Sequence, residues 1–205
     1  MAQFPVEIVR YSPKERVLPD FAGEDALIRF GKYPDDYGPW IGDEAVIGNI
    51  TQDMAKRGDH CGIKTWRELT YGLPVSPAGP GSEDIGGLGT LPYVEMLSYL
   101  RHIRAYLYTG TWPASYTLGL MEAMLSGVPI VAPPWSTGNP VLDGLYEAPE
   151  IVAADVTPRI DETYRLTTFL NDRETAGLVG AGQRQRAIDL FDVATVGPQW
   201  KAFLG

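Results

Sequence analysis

One acidic residue, Glu122, follows a loop that is suited to binding an anion. The loop GTWPASYT, residues 110–117, leads from an apolar run into a short amphipathic segment that starts near Leu118. Backbone N–H groups at the start of a helix bind phosphate, because the helix dipole places positive charge there. The residues whose amides we expect to bind a diphosphate are Ser115, Tyr116, Thr117 and Leu118.

The carboxylate of Glu122 requires a different partner from the phosphates. It lies about one turn farther along the predicted helix, and it would repel a phosphate group. A carboxylate accepts hydrogen bonds well from two neighbouring hydroxyls, such as those of a ribose. This combination favours a nucleoside diphosphate, while the alternative is that Glu122 is a solvated helix residue without a ligand.

The segments around this motif predict strands that alternate with helices. Strands are predicted for EAVIGNI, LPVSPAG, RAYLYTG, VPIVA and EIVAAD, since these runs are apolar or β-branched and are bounded by turn residues. Helices are predicted for GIKTWRELTY, closed by Gly72, for PYVEMLSYLRHI, and for the segment from Leu118 to a stop at Gly127. Three more helices are predicted near RIDETYRLTTFL, RETAGLVGAGQRQRAIDLF and VATVGPQWKAFL, and Asp192 is the expected cap of the last one.

This alternation predicts an α/β fold, a Rossmann-like parallel sheet with helices on both faces. Ligands of such sheets bind at the carboxyl ends of the strands. Residues 1–43 are rich in proline, glycine and tyrosine, with VEIVRY and ALIRF as their only credible strands. We therefore expect an irregular N-terminal extension over 1–43 and one folded domain over 44–205.

Composition excludes several classes of protein. A net charge of -9 argues against binding of duplex nucleic acid, which needs a basic surface. One cysteine, Cys61, expected to be a buried or half-buried thiol, allows no intrachain disulfide, and with only two histidines no metal site is expected. We find neither a run of about 20 apolar residues nor a signal peptide, so a cytoplasmic protein without a transmembrane segment is expected.

The stretch PASYTLGLMEAMLSGVPIVA resembles the C-terminal donor-binding domain of GT-B glycosyltransferases, in particular the family 4 (group 1) type. The signature of that family is a glutamate, seven residues, a second glutamate, Ala-Met, a glycine with a proline, and a strand of small residues. Glu122 matches the second glutamate, which in the family holds the nucleotide ribose. The resemblance covers about residues 44 to 204 and implies a nucleoside diphosphate sugar as the donor substrate, with no metal cofactor.

The resemblance also implies further donor-binding residues on three loops. The loop after the first strand of the domain would bind phosphate, and Arg57, in preference to Lys56, would supply the cation that the departing diphosphate needs. The second loop follows a strand that ends in Gly-x-Gly, and the third loop would contact the base. The matching positions are Asn49, Thr51, Lys56, Arg57, Gly79, Gly81, Leu88, Gly89, Thr90 and Leu91.

The sequence departs from the family at two places that bear on activity. Ala114 replaces the first glutamate, which contacts the donor sugar, and Asn49 and Thr51 occupy the loop that normally carries a phosphate-binding arginine. The family also places its acceptor site on a separate N-terminal domain, which residues 1–43 cannot form. The resemblance thus implies a glycosyltransferase donor module that is inactive without an acceptor domain or subunit. In the family, transfer usually retains the configuration at the anomeric carbon of the sugar.

Other interpretations of the residues stay open at this point. The chain is alternatively a noncatalytic binding or scaffold domain that kept the fold, or, with less support, half of a sugar-nucleotide epimerase. His60 and His102 stand in no catalytic motif. Five aromatic residues near strand ends form either a sugar-stacking platform or part of the core: Tyr106, Tyr108, Trp112, Tyr116 and Trp135.

Overall fold

The central sheet of the protein is parallel, as the sequence predicts. The structure, a computed structural model, describes residues 7–152 and 161–205. Three strands lie side by side in the order β3, β4, β5, with the bounds Glu44–Gly48, Ile103–Leu107 and Ile130–Val131. Most of their side chains are buried, which is typical of a parallel sheet covered on both faces.

A proline-containing segment, residues 74–78, extends this sheet beyond β3. It runs parallel to β3 through isolated bridges of Val75 to Ile47 and of Ala78 to Ile50. Pro74 and Pro77 have no backbone N–H group, which suits a segment at the edge of the sheet. The predicted strand LPVSPAG therefore lies where it was expected, but in an interrupted form.

Helices cover both faces of the sheet. Helix α2 packs with α7 in one apolar cluster, while α3, α4 and α8 contribute to the cluster on the opposite face. Within the described ranges, every helix falls short of the length and apolarity that a bilayer span needs. The helices have these bounds: α1 Met54–Arg57, α2 Ile63–Leu69, α3 Tyr93–His102, α4 Leu118–Ser126, α5 Pro140–Leu145, α6 Ala148–Val152, α7 Glu162–Asn171, α8 Arg173–Phe191 and α9 Val193–Leu204.

The chain connections place a crevice between β3 and β4. From β3 the chain crosses through α2 to residues 74–78 on one side, and from β4 it crosses through α4 to β5 on the other side. Because α2 and α4 lie on opposite faces, the connections diverge between β3 and β4. Sheets of this kind bind ligands at such a switch point, at the carboxyl ends of the strands. The predicted α/β fold class is confirmed.

The segment from residue 7 to residue 43 is bonded closely to the rest of the chain. Its two short strands, β1 (Val9–Arg10) and β2 (Ala26–Leu27), pair in parallel. Beyond them, the Lys32 N–H donates to the Phe191 carbonyl at 2.7 Å, and the Val193 N–H donates to the Lys32 carbonyl at 2.8 Å. The segment therefore closes over the junction of α8 and α9. The domain boundary at residue 44 stays a prediction.

Two predicted elements differ from the structure, and helices α1 and α5 were not predicted. Part of the predicted strand EIVAAD belongs to α6, because Pro149 suits the first turn of a helix, and residues 153–155 lie outside the described residues. Helix α2 ends at Leu69, before the predicted stop at Gly72. The unpredicted helix α5 starts after Asn139, whose side chain accepts from two backbone N–H groups.

The predictions for the C-terminal helices are confirmed where the structure describes them. Helix α8 has the predicted bounds, and the Ala194 N–H donates to Asp192 Oδ1 at 2.8 Å, which makes Asp192 the cap of α9. Helix α7 starts at Glu162 behind the capping side chain of Asp161. The first two residues of its predicted stretch, Arg159 and Ile160, lie outside the described residues.

Candidate functional site

Helix α4 starts at the crevice and presents free backbone N–H groups there. Thr117 caps the helix, with its hydroxyl 3.4 Å from the Leu120 nitrogen. None of the N–H groups of residues 115–119 has an acceptor among the described residues. A methyl group built on Gly119 would meet no heavy atom nearer than 3.7 Å, and Leu118 is 49% exposed, so the space in front of the helix is open. This geometry suits an anion.

The side chains of Ser115 and Tyr116 do not face that space. Ser115 is fully buried, and its hydroxyl has no partner among the described residues. Tyr116 packs in the core and donates from its hydroxyl to the Tyr11 carbonyl at 3.1 Å, and burial raises its pKa to about 12. Because both residues are buried as a whole, backbone included, the N–H groups that face the open space are those of residues 117–119, and the predicted ligand contacts of Ser115 and Tyr116 stay predictions.

The end of β3 forms the other wall of the crevice. The Ile50 N–H donates to the Tyr106 hydroxyl at 2.9 Å, and the Ile50 carbonyl lies 4.0 Å from the position of a Gly119 methyl group. The side-chain amide of Asn49 is buried and donates to the Leu107 carbonyl at 2.6 Å. Asn49 thus joins the ends of β3 and β4. Thr51, in the same loop, is half-buried.

The two candidate cations on α1 have different surroundings. Lys56 Nζ lies 3.4 Å from Asp53 Oδ1 and 3.8 Å from Asp84 Oδ2. Arg57 is exposed, and no carboxylate pairs with it among the residues that the structure describes. The structure therefore favours Arg57 over Lys56 as a cation that is available to a ligand.

The glycine-rich loops lie against each other next to the crevice. Gly79, Gly81 and Gly89 have φ values of 104°, 75° and 78°, which glycine adopts without strain. A methyl group on Gly81 would lie 2.4 Å from Asp53 Oδ1, so the loop after residues 74–78 fits tightly onto the loop after β3. These glycines have a structural reason to be present, apart from any ligand.

The predicted base-contacting loop is partly open to solvent. Leu88 is 55% exposed, and Thr90 is exposed as well, while Gly89 is buried and Leu91 packs against the core. The Leu88 N–H donates to the Pro77 carbonyl at 2.9 Å, which fixes the loop to residues 74–78. An exposed apolar side chain on a fixed loop can contact a flat ligand.

The carboxylate of Glu122 has a partner that the sequence analysis missed. Lys32 Nζ donates to Glu122 Oε1 at 2.7 Å, and the two side chains are 21% and 13% exposed. Burial, the hydroxyl of Tyr93 and the charge of Glu122 raise the pKa of the neighbouring Tyr37. A ligand that bonds to Glu122 would share the carboxylate with Lys32. No local pattern identifies this pair, because its members lie 90 residues apart.

The five aromatic candidates separate into two groups. Tyr106, Tyr108 and Tyr116 belong to the buried core. Trp112 and Trp135 instead line a cavity of about 370 Å³, which we call the aromatic cavity. Besides the two tryptophans, its lining includes Asp59, His60, Lys64, Thr65, Ser136 and Leu142.

The aromatic cavity is separate from the start of α4. Neither it nor a second cavity of about 340 Å³, near Trp40 and Arg184, is lined by Glu122 or by residues 115–119. As expected, Cys61 is a buried free thiol. His102 Nδ1 lies 2.7 Å from Asp43 Oδ1, and His60 packs on Trp112.

At the level of sequence, neither a family model nor a curated protein matches the chain. Solved glycosyltransferase structures are similar in fold. AviGT4, a glycosyltransferase involved in avilamycin A biosynthesis, is 17% identical with a TM-score of 0.65 over 95% of this chain and 61% of its own. Sucrose-phosphate synthase from Thermosynechococcus elongatus is 14% identical with a TM-score of 0.70 over 96% of this chain and 57% of its own.

The third similar structure contains a nucleotide and a sugar. HepE from Anabaena, in complex with UDP and glucose, is 17% identical with a TM-score of 0.69 over 97% of this chain and 62% of its own. This chain thus spans about 60% of the length of the three structures. Its Rossmann-like α/β fold is similar to part of these glycosyltransferase structures, as the sequence analysis expected.

Proposed function

We propose that the chain is the donor-binding module of a glycosyltransferase and binds a nucleoside diphosphate sugar at the crevice between β3 and β4. The observation that carries the proposal is the start of α4 at the switch point of the sheet, with unpaired N–H groups facing open space and Glu122 one turn farther on. The diphosphate would bind to these N–H groups and to Arg57, and the ribose to Glu122. The complexes of HepE with UDP and with UDP-glucose support the ligand class.

Transfer of the sugar would require an acceptor domain or subunit. The chain spans about 60% of the similar glycosyltransferases, and Ala114 stands where the resemblance places a sugar-contacting glutamate. We therefore expect the isolated chain to show no transfer and, at most, slow hydrolysis of the donor. Robust transfer by a monomer of this chain would contradict the proposal of a donor half.

Loss of the Glu122 carboxylate should remove about half or more of the stabilisation by UDP. A ligand at a hundredfold excess over its Kd stabilises the folded state by about 2.7 kcal/mol, which a thermal melt detects. Hydrogen bonds from the ribose to a carboxylate contribute about 1.5–3 kcal/mol, so Glu122→Gln should weaken UDP at least about tenfold. Melting curves across a UDP titration measure this loss.

The matched control for this experiment is Lys32→Met. It breaks the same ion pair but leaves the carboxylate free, so UDP should bind at least as tightly as to the unchanged chain. If Glu122 only holds the N-terminal segment in place, both variants lower the melting temperature and both keep the same UDP response. That outcome would refute the ribose contact.

Substitutions of Arg57 and of Lys56 test which of these two cations on α1 binds the diphosphate. Arg57→Gln should weaken UDP about tenfold, because a charge-assisted hydrogen bond to a phosphate would be lost. Lys56→Gln should change the affinity little, since Lys56 already lies beside Asp53 and Asp84. Titrations of both variants at equal salt measure the difference, and the reverse order would assign the role to Lys56.

A noncatalytic scaffold is the second candidate function. The observations that favour it are Ala114 in place of a sugar-contacting glutamate and the engagement of the Asn49 amide with Leu107. Under this alternative, no nucleoside diphosphate stabilises the chain at any concentration up to millimolar. A panel of UDP, GDP and ADP in the thermal assay separates the two candidates.

A further inference from the structure

The aromatic cavity is a second concave feature at the carboxyl edge of the sheet, beyond the ends of β4 and β5. Its walls come from the loop after β4, the loop after β5 and the start of α2. Its volume of about 370 Å³ lies in the range of small-molecule sites. None of the residues that we assign to the nucleotide lines it.

Two tryptophans are held rigidly in the walls of this cavity. The Trp135 indole stacks on Tyr146, with ring centroids 4.4 Å apart and an angle of 5° between the planes, and its N–H donates to the Thr109 carbonyl at 2.8 Å. The Trp112 ring packs on His60 at 5.0 Å, and its backbone N–H donates to the His60 carbonyl. Fixed aromatic side chains bind a ligand with little loss of conformational entropy.

The polar groups around the tryptophans suit an uncharged ligand with many hydroxyls. Asp59 and Lys64 carry opposite charges, and Thr65 and Ser136 supply hydroxyls that donate and accept. Lys64 Nζ also lies 4.0 Å from Glu68 Oε1, so the charges around the cavity do not favour an anion such as phosphate. A pyranose ring matches this lining, since its C–H face packs on the negative face of an indole while its hydroxyls reach the polar groups.

The wall of the cavity also contains an unsatisfied donor. The Trp112 indole N–H is covered from solvent and has no acceptor among the described residues. A buried donor without a partner costs free energy and is uncommon in a folded protein. Because this N–H is covered, it is not among the groups that a ligand in the cavity can reach.

We propose that the aromatic cavity is a carbohydrate-binding subsite that takes one uncharged hexopyranose unit of a glycan, with Trp135 as its platform. The subsite is independent of the nucleotide crevice, because the two share none of their assigned residues. Its occupant is a free or glycan-borne sugar ring and not the diphosphate. Binding of a sugar ring in this cavity and binding of a nucleotide at the crevice are therefore tested separately.

The test is saturation-transfer NMR of the full chain with methyl glucoside, methyl galactoside and methyl mannoside at millimolar concentrations. We expect saturable binding of at least one pyranoside, weakened about tenfold or more by Trp135→Ala. Because Trp135 also stacks on Tyr146, a second variant, Thr65→Trp, fills the cavity from α2 and should weaken binding similarly without removing that stack. Tyr71→Ala, at a side chain that is 89% exposed and outside the cavity, is the matched control and should change nothing.

Several results would overturn this proposal. No pyranoside signal, or a signal that both cavity variants leave unchanged, excludes the site. Displacement of the pyranoside by uridine would assign the cavity to a nucleobase instead of a sugar. Saturating UDP should leave the affinity for the pyranoside unchanged. If the chain binds a pyranoside but not UDP, only the proposed function is contradicted. If it binds UDP but no pyranoside, only the carbohydrate subsite is contradicted.

Discussion

Arg29→Met should lower the free energy of unfolding by about 3 kcal/mol or more, which is a large part of the 5–15 kcal/mol typical of a domain. The Arg29 guanidinium donates two hydrogen bonds to the Glu147 carboxylate, one of them at 3.3 Å. Glu147 is only 5% exposed, and Ser12 donates to it as well, at 2.6 Å. The substitution leaves that carboxylate buried, with the Ser12 hydroxyl as its one remaining side-chain partner among the described residues.

The surroundings of Arg29 show why methionine isolates the effect of charge. Burial opposes the charged form, but the hydrogen bonds and charge of Glu147 outweigh burial, so the pKa of Arg29 is raised. The guanidinium also lies over the rings of Tyr116 and Phe191, at 5.4 and 5.9 Å from their centroids. Methionine keeps much of this apolar contact while it removes the charge.

Chemical denaturation of three variants tests this prediction. Lys14→Met breaks the more exposed ion pair with Glu150 and should cost about 1 kcal/mol or less. The double variant Arg29→Met/Glu147→Gln removes both charges, and it should recover a clear part of the loss if the unpaired carboxylate is its cause. If Arg29→Met costs no more than Lys14→Met, the buried pair does not hold the N-terminal segment in the way described.

Gly180→Ala should cost about 3 kcal/mol, because α8 has no room for a methyl group where it crosses the turn between α4 and β5. The added carbon would lie 2.1 Å from the Gly127 carbonyl oxygen and 3.2 Å from the Pro129 nitrogen. Both are backbone atoms, so no side-chain rotation relieves the contact. Overpacking of this kind costs about 1–3 kcal/mol or more and outweighs the gain of about 1 kcal/mol in helix propensity.

The matched control is Gly144→Ala in α5. There the added carbon meets the Val17 side chain at 3.5 Å, an ordinary contact, so the variant should be close to the unchanged chain in stability. Thermal and denaturant unfolding of both variants measure the difference. Equal stability of the two would mean that α8 moves away from Gly127 at little cost, contrary to the close packing described here.

Local sequence signals were sufficient for the elements around the candidate site. The stop of α4 at Gly127, which has a φ of 79°, and the cap of α9 at Asp192 depend on residues next to them in the chain. The parallel sheet followed from the alternation of apolar strands with helices. Such features are set by interactions over a few residues, and they place the start of α4 correctly.

The contacts of the site depended on residues far apart in the chain and could not be predicted. Lys32 pairs with Glu122 across 90 positions, and Arg29 pairs with Glu147 across 118. The segment before residue 44 was interpreted as an irregular extension, so neither pair was expected. Likewise, Tyr106, which is buried, and Trp135, which lines a cavity, were one group of candidates, because both are aromatic residues near strand ends.

The backbone of Lys32 lies between Phe191 and Val193, and this arrangement has a consequence for synthesis of the chain. A ribosome releases Arg29 and Lys32 long before it makes the helices that receive them. Contacts between distant parts of a chain form slowly, and their apolar surroundings stay open to aggregation meanwhile. The first described segment of this protein is therefore translated early but is among the last parts to dock.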